Sequence, residues 1–474
     1  MSAIARRDFI KTSAGCLGLA SGLLMPKQTA ASGNSQDAGN GNRPNIVVLM
    51  ADDTGWNDVG FHGSEINTPH LDRLARNGKE LNRFYVEPVC SPTRASLMTG
   101  RPSSRVGIQT PLQTYTKHGL PLDTVTVAEH LRRAGYDTCI SGKWHLGMLP
   151  HQYPGHFGFR HSYGYVGPWI DSYTHLTTNF RENDEPFPQW HRNGELIDES
   201  GAHVTDLISQ EAVRFITDIR SSEKPFFLYV PFSAPHVPVQ EENRWVDPYR
   251  ESIENVSRRY FAAAMTHMDD AIGKILESLE RESLTSNTLV LFFSDNGGQR
   301  GGEYRERWMK PPARYYMSYG ATDVLGDNLP LRGWKGQLYD GGIRVPALMN
   351  WPGRLTPGVV DEVMTVQDMY PTLARIAGAP LPGDSAVEGI DVSPALDGGS
   401  LPDDRVIYIR LGPRFAILKD GWKLIHLGKT PDEGKDELFN LAVDQYEKNE
   451  CSKQNSKILA ELKEELKRQY AFDK

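Results

Sequence analysis

Four short apolar runs between Asn45 and Ser294 constrain the fold of this chain more than any other feature. They occupy residues 45–50 (NIVVLM), 136–141 (YDTCIS), 225–231 (PFFLYVP) and 288–294 (TLVLFFS). Each is strand-length and mostly apolar, the pattern of strands buried on both faces of a parallel sheet. Stretches with helical periodicity fall beside or between them, at 68–77, 126–134, 202–220 and 256–281. This alternation predicts an α/β domain with a large, mostly parallel central sheet flanked by helices. A polar cluster follows each run: Asp52-Asp53, Lys143-Trp144-His145, His236 and Asp295-Asn296. Open α/β sheets bind ligands beyond the carboxyl ends of their strands, so four distant segments are expected to meet on one rim.

The character of the chain changes near Leu401. Residues 406–410, 415–419 and 422–426 read as short antiparallel strands, with Asp420-Gly421 as a hairpin signal, and 456–470 as a charged closing helix. The expected organisation is a catalytic domain at 44–400 followed by a smaller α+β subdomain at 401–474. At the other end, Arg6-Arg7 and Lys11 precede a short apolar stretch and a small-residue site at Ala30-Ala31, the order of a secretory signal over residues 1–31. The paired arginines resemble a twin-arginine signal, which implies the twin-arginine export machinery as a partner and a periplasmic or extracellular destination. Residues 32–43 form a Gly/Asn/Ser-rich linker, and no transmembrane helix is expected in the mature part. The formal charge of -8 gives no reason to expect a nucleic-acid partner. Beyond the signal only Cys90, Cys139 and Cys451 remain, too few for a fold held by disulfides.

One of those cysteines sits in a pattern of its own, Cys90-Ser91-Pro92-Thr93-Arg94, running on into Ala-Ser-Leu-Met-Thr-Gly-Arg. A helix is expected from just after Pro92, placing Cys90 at its N-terminus, where negative charge is favoured. As a plain thiol, Cys90 would there be a low-pKa nucleophile. Asp52-Asp53 and Asp295-Asn296 offer an all-oxygen, mostly anionic cage, which selects Ca²⁺ or Mg²⁺ over zinc. Lys143, His145, His236 and Lys335 add cations and imidazoles. Such groups stabilise charge developing on an oxyanion and move protons near neutral pH.

These motifs resemble the type I sulfatases of the alkaline phosphatase superfamily, over a stretch from Asn45 to the C-terminus. The resemblance implies that Cys90 is oxidised to formylglycine by a formylglycine-generating enzyme. One hydroxyl of the hydrated aldehyde would then attack sulfur, and the second would expel sulfate by re-forming the carbonyl. It further implies that Asp52, Asp53, Asp295 and Asn296 bind the cation together with residue 90. Arg94 would steady the formylglycine, Lys143 and Lys335 would bind sulfate, His236 would protonate the leaving oxygen, and His145 would assist hydration and release.

The segments around Asp52 and Gly142 are most similar to the arylsulfatase B group, which acts on sulfated N-acetylgalactosamine. By the same resemblance His175 is a substrate-binding candidate. Residues 299–326 read as an insertion that mixes Arg300, Arg305 and Arg307 with Trp308 and Tyr315, a composition suited to a sulfated polysaccharide or to a solvated excursion. The expected substrate is a galactosamine- or galactose-type sulfated carbohydrate. Two alternatives stand beside it: a phosphonate or phosphate-ester hydrolase of the same superfamily, and an exported sulfoglycan-binding protein without catalysis.

Overall fold

The computed structural model describes residues 43–177, 185–300, 325–383 and 385–474. The expected signal segment, the linker up to residue 42 and residues 301–324 of the insertion lie outside the described residues.

The four apolar runs form strands β1 (Asn45–Ala51), β3 (Asp137–Lys143), β7 (Phe226–Pro231) and β8 (Thr288–Ser294), all fully buried. Between them in chain order come β2 (Lys79–Leu81), β4 (His161–Tyr165), β5 (Trp190–Arg192) and β6 (Glu195–Leu196), and β9 (Ala347–Asn350) and β10 (Gly358–Val360) follow. Together they make one ten-stranded sheet in the order β10-β2-β9-β8-β1-β7-β3-β4-β5-β6. The centre, from β8 to β4, is parallel, while β9 and β5 join it antiparallel on either side. The sheet is therefore mixed at its edges and parallel where the apolar runs lie.

Alternate side chains of β1 sort onto the two faces, as the period of two in a strand requires. Ile46, Val48 and Met50 pack with Ala95, Leu97, Val127, Leu131, Met369 and Leu373. These come from helices α2 (Cys90–Thr99), α3 (Val127–Arg133) and α6 (Met369–Ile376). Val47, Leu49 and Ala51 pack with Leu71, Ile208, Met265 and Ile272. Those belong to α1 (Pro69–Arg76), α4 (Val204–Arg214) and α5 (Val256–Arg281). The periodic stretch expected at 202–220 is α-helical only to Arg214 and continues as one π-helical turn over Phe215–Ile219.

A four-stranded antiparallel sheet, β11 (Ile407–Leu411), β12 (Arg414–Lys419), β13 (Trp422–Thr430) and β14 (Glu433–Asn440), closes the fold. One face, through Ile407, Ile409 and Ile425, packs on Tyr85, Leu338 and Ile343. The other is covered by Leu462 and Leu466 of helix α7 (Ser456–Tyr470). Strand β14 was not expected: it is mostly polar, exposed over its first three residues, and only Leu438 and Phe439 turn into the cores.

Candidate active site

Register brings the polar strand ends to one level. Ala51 pairs with Ser294 and Met50 with Pro231, so Asp52, Asp295 and Ser233 leave the sheet side by side. At the end of β3, Gly142 has φ 136°. A Cβ there would lie 2.0 Å from the Pro231 carbonyl oxygen, so glycine alone allows this close approach of β3 to β7. Asp53 and His145 hold left-handed backbone angles, φ 74° and 56°. Such angles cost about 1–3 kcal/mol in a non-glycine residue and persist where surrounding structure imposes them.

Arg94 ties the strand ends together. The side chain is fully buried, with Nε and Nη2 donating to Asp295 Oδ2 at 3.1 and 2.7 Å. Its Nη1 donates to the Lys143 carbonyl at 2.9 Å, and Nη2 reaches Asp52 Oδ2 at 3.4 Å. Lys143 Nζ lies 2.5 Å from Asp52 Oδ2, and Lys335 Nζ lies 2.6 Å from Asp53 Oδ1 and 2.8 Å from Oδ2. Asn296 Nδ2 donates to Asp53 Oδ1 at 2.8 Å, and the Asp53 backbone N–H donates to Asp295 Oδ1 at 3.3 Å. Asp52, Asp53, Asp295, Asn296, Arg94, Lys143 and Lys335 thus form one buried network. Three carboxylates face three cations, which offsets the cost of taking so many charges out of water.

Cys90 is the first residue of α2, two positions before Pro92, so the helix begins earlier than expected. The thiol is buried, and its electrostatic neighbours are Lys143, Lys335, Asp52 and Asp295. Burial raises its pKa, and the two lysines only partly oppose that. The expectation of a low-pKa thiol is therefore corrected: desolvation outweighs the nearby positive charge, and an unmodified Cys90 is a poor thiolate nucleophile here.

His145 donates from Nε2 to the Leu112 carbonyl at 2.8 Å, and Leu112 N–H donates in turn to Ser91 Oγ at 3.0 Å. Burial and Lys143 hold the His145 pKa well below the ordinary histidine value, so the ring is neutral and Nδ1 carries a lone pair. His236 donates from Nδ1 to the Val237 carbonyl at 2.6 Å, which leaves Nε2 facing the network, 3.8 Å from Asp53 Oδ2. Burial and Lys335 lower its pKa, with Asp53 opposing. His175 stands apart. Its ring packs on Trp190 at 4.8 Å and donates from Nε2 to the Ala202 carbonyl at 3.1 Å. Among the described residues no hydrogen bond or ion pair joins it to the network. Leu112, which sets the His145 tautomer through its carbonyl, carries no signal in the sequence because a main-chain acceptor has no residue preference.

The network also holds unmet polar atoms. Asp52 Oδ1, Asn296 Oδ1 and His145 Nδ1 are buried without a hydrogen-bond partner. Leaving such atoms unpaired costs about 1–3 kcal/mol each, so oxygens of this kind, pointing into an anionic cage, fit a hard divalent cation. Asp52, Asp53 and His236 also bring ligand atoms within 4.8 Å of one another. We favour the oxygen set, because the two unmet ligand-type oxygens belong to Asp52 and Asn296.

Three cations, two of them buried, and an oxygen-rich cage at the ends of parallel strands suit the binding of an anionic ester. A sulfatase family profile matches residues 44–379, and one described as N-sulphoglucosamine sulphohydrolase, C-terminal, matches residues 333–471. The chain belongs to the sulfatase family, as a type I sulfatase of the alkaline phosphatase superfamily. Arylsulfatase J of Mus musculus is 34% identical over 391 residues, which cover 80% of this chain and 60% of that protein. N-acetylgalactosamine-6-sulfatase of Canis lupus familiaris is 32% identical over 398 residues, covering 80% of this chain and 71% of the relative. Among solved structures, Ps i-CgsB in complex with k-i-k-neocarrahexaose has a TM-score of 0.79 at 31% identity, covering 91% of this chain and 94% of that one.

Proposed function

We propose that this protein hydrolyses sulfate monoesters of a galactosamine- or galactose-type sulfated carbohydrate, with a formylglycine made from Cys90 and one divalent cation, Ca²⁺ or Mg²⁺. The observation that carries this reading is the set of three carboxyl groups and three cations beside residue 90, with Asp52 Oδ1 and Asn296 Oδ1 unmet. A divalent ion adds two positive charges to that set, and the dianionic sulfate product balances them. The ion would be held by Asp52, Asp53, Asp295, Asn296 and residue 90, and would supply Lewis-acid polarisation of a sulfate oxygen.

The chain's own groups do the rest. Lys143 and Lys335 present ammonium groups to the sulfate oxygens, where negative charge grows as the ester bond breaks. Arg94 keeps the ends of β1, β3 and β8 in register around residue 90. His236 holds Nε2 toward the site and gives the proton to the leaving alcohol oxygen. Its lowered pKa makes it a stronger acid, and the negative charge of a bound ester favours its protonation. His145, fixed as the Nε2–H tautomer, accepts a proton at Nδ1 when a hydroxyl on residue 90 is deprotonated for sulfate release.

The carbohydrate class is supported by the relative named N-acetylgalactosamine-6-sulfatase and by the similar structure that holds a neocarrahexaose. Arg300 lies over the Trp334 ring at 4.7 Å, beside Lys335, and this pair suits a sulfated sugar at the rim of the site. We assign the protein to the periplasm or cell exterior, reached through the twin-arginine machinery, on the strength of residues 1–31. No helix among the described residues is long and apolar enough to cross a membrane.

The deciding experiment is peptide mass spectrometry across residue 90 of the exported protein, with sulfate release measured on the same sample. Formylglycine in place of the thiol, with sulfate released, is the expected result. An unmodified Cys90 in a fully active sample overturns the mechanism.

A further inference from the structure

A second group of histidines and carboxylates is buried behind the loop that carries His236. Glu241, five residues further along that loop, places Oε2 2.8 Å from Nδ1 of His267 on α5. The other ring nitrogen of His267 lies 3.4 Å from Asp206 Oδ1 on α4. Nε2 of His203, the N-cap of α4, lies 2.8 Å from the Gln240 carbonyl and 3.7 Å from Glu241 Oε1. Trp245 stacks on His267 at 4.5 Å.

Two imidazoles converging on a carboxylate resemble a zinc site, but the hydrogen bonds assign them otherwise. His203 Nδ1 accepts the Thr205 N–H at 3.2 Å, so its proton sits on Nε2 and is donated to Gln240. His203 is therefore a donor to the loop rather than a ligand. His267 has a carboxylate beside each nitrogen, an arrangement satisfied when both carry protons. Burial works against that charge, but Glu241, hydrogen-bonded at Nδ1, and Asp206, an ion-pair partner of Nε2 outside hydrogen-bond geometry, outweigh it and place the pKa at about 9.

The consequence runs along residues 233–241. At the near end, His236 N–H bonds to the Ser233 carbonyl, and the Val237 carbonyl sets the direction of the His236 ring. At the far end, Gln240 accepts Ser172 N–H and donates to Asp171, both at 2.7 Å, while Glu241 is held by the imidazolium of His267. We propose that the Glu241–His267 pair is a positioning device for His236: it anchors the loop so that the Val237 carbonyl aims Nε2 at the leaving oxygen. This rests on the reading of His236 as the acid that protonates the leaving group.

A positioning role of this kind has a signature that general destabilisation lacks. Departure of 4-nitrophenolate needs little protonation, whereas departure of 4-methoxyphenolate needs it strongly. Loss of a well-aimed acid therefore steepens the dependence of kcat on leaving-group basicity. The test measures kcat and KM for 4-nitrophenyl, phenyl and 4-methoxyphenyl sulfates with the full, modified enzyme and with the variants His236→Ala, His267→Ala and Glu241→Gln/His267→Gln. We expect His236→Ala to lose about 10²–10⁴-fold on the methoxy substrate and far less on the nitro substrate. His267→Ala is expected to show the same pattern at about 10–100-fold, with KM little changed. The double variant replaces the ion pair by two amides and is expected to fold and to recover part of the loss on the methoxy substrate. Equal losses on all three substrates, or none, in His267→Ala and the double variant overturn the positioning role. If His236→Ala itself shows no leaving-group discrimination, the acid assignment fails, and the positioning role falls with it.

Discussion

Two clusters of buried charge differ in how completely they close. Beneath the C-terminal sheet, Lys423 Nζ lies 2.8 Å from Asp340 Oδ1 and 2.7 Å from Glu447 Oε1. Asp340 Oδ2 is met by Tyr85 Oη at 3.1 Å and by Arg344 at 3.7 Å, and Glu447 Oε2 accepts the Asp340 N–H at 2.7 Å. Glu447 Oε1 lies outside hydrogen-bond geometry, yet at this distance from an ammonium group it is ion-paired. Every carboxylate oxygen in that cluster is therefore answered from within the protein. At the strand ends, Asp52 Oδ1 and Asn296 Oδ1 are not. Burial and charge are common to both clusters; the unanswered oxygens of Asp52 and Asn296 distinguish the strand-end cluster from this structural staple.

That contrast can be broken by experiment, beginning with the largest expected effect. Cys90→Ala should reduce sulfate release by at least about 10⁴-fold while leaving the circular dichroism spectrum and Tm near the parent values. Asp295→Ala should lose the bound cation, read by elemental mass spectrometry, and about 10²–10³-fold or more in kcat. The variant also leaves Arg94 without its nearest partner. Lys423→Met should do the reverse. Breaking the closed cluster should cost about 3–5 kcal/mol in urea unfolding, while kcat of the folded fraction stays within about 2-fold. A Lys423 variant that loses activity at unchanged stability would erase the distinction between the clusters.

The smallest effect concerns pH. The His267 pKa is raised from 6.5 to about 9, so its stabilising contribution is complete below pH 6.5 and is lost as pH rises through about 9. The urea midpoint should fall between pH 7 and pH 10, and less steeply in His267→Gln than in the parent. Parallel slopes for the two proteins would show that the imidazolium is not formed.

The central strands were legible because burial on both faces leaves nearly unbroken apolar runs, and their polar ends marked the rim without any knowledge of partners. Asp52, Asp53, Lys143, Asp295 and Asn296, which the structure brings together, were singled out this way, and Arg94 through the resemblance of the Cys90–Arg94 pattern to the sulfatase signature. Strands β5, β6 and β14 were not legible, since they are short or polar and are defined by the neighbour they pair with. The staple of Lys423, Asp340 and Glu447 and the pair Glu241–His267 were equally silent. Each joins residues far apart in the chain, and a lone lysine or histidine reads locally as surface. The thiol of Cys90 was misjudged for a related reason: proximity to a helix N-terminus is visible in sequence, but the depth of burial is not.

That depth has a bearing on the life history of the molecule. Cys90 is 3% exposed, with α2 buried along its whole length. On the proposed mechanism an oxidising enzyme would have to grip the chain around this residue, and once the domain had closed there would be nothing left to grip. Maturation and closure would then compete for the same nascent segment, and the order in which they finished would be stored permanently in a single side chain. A preparation of this protein would be a census of that race: two populations with the same fold, only one of them armed.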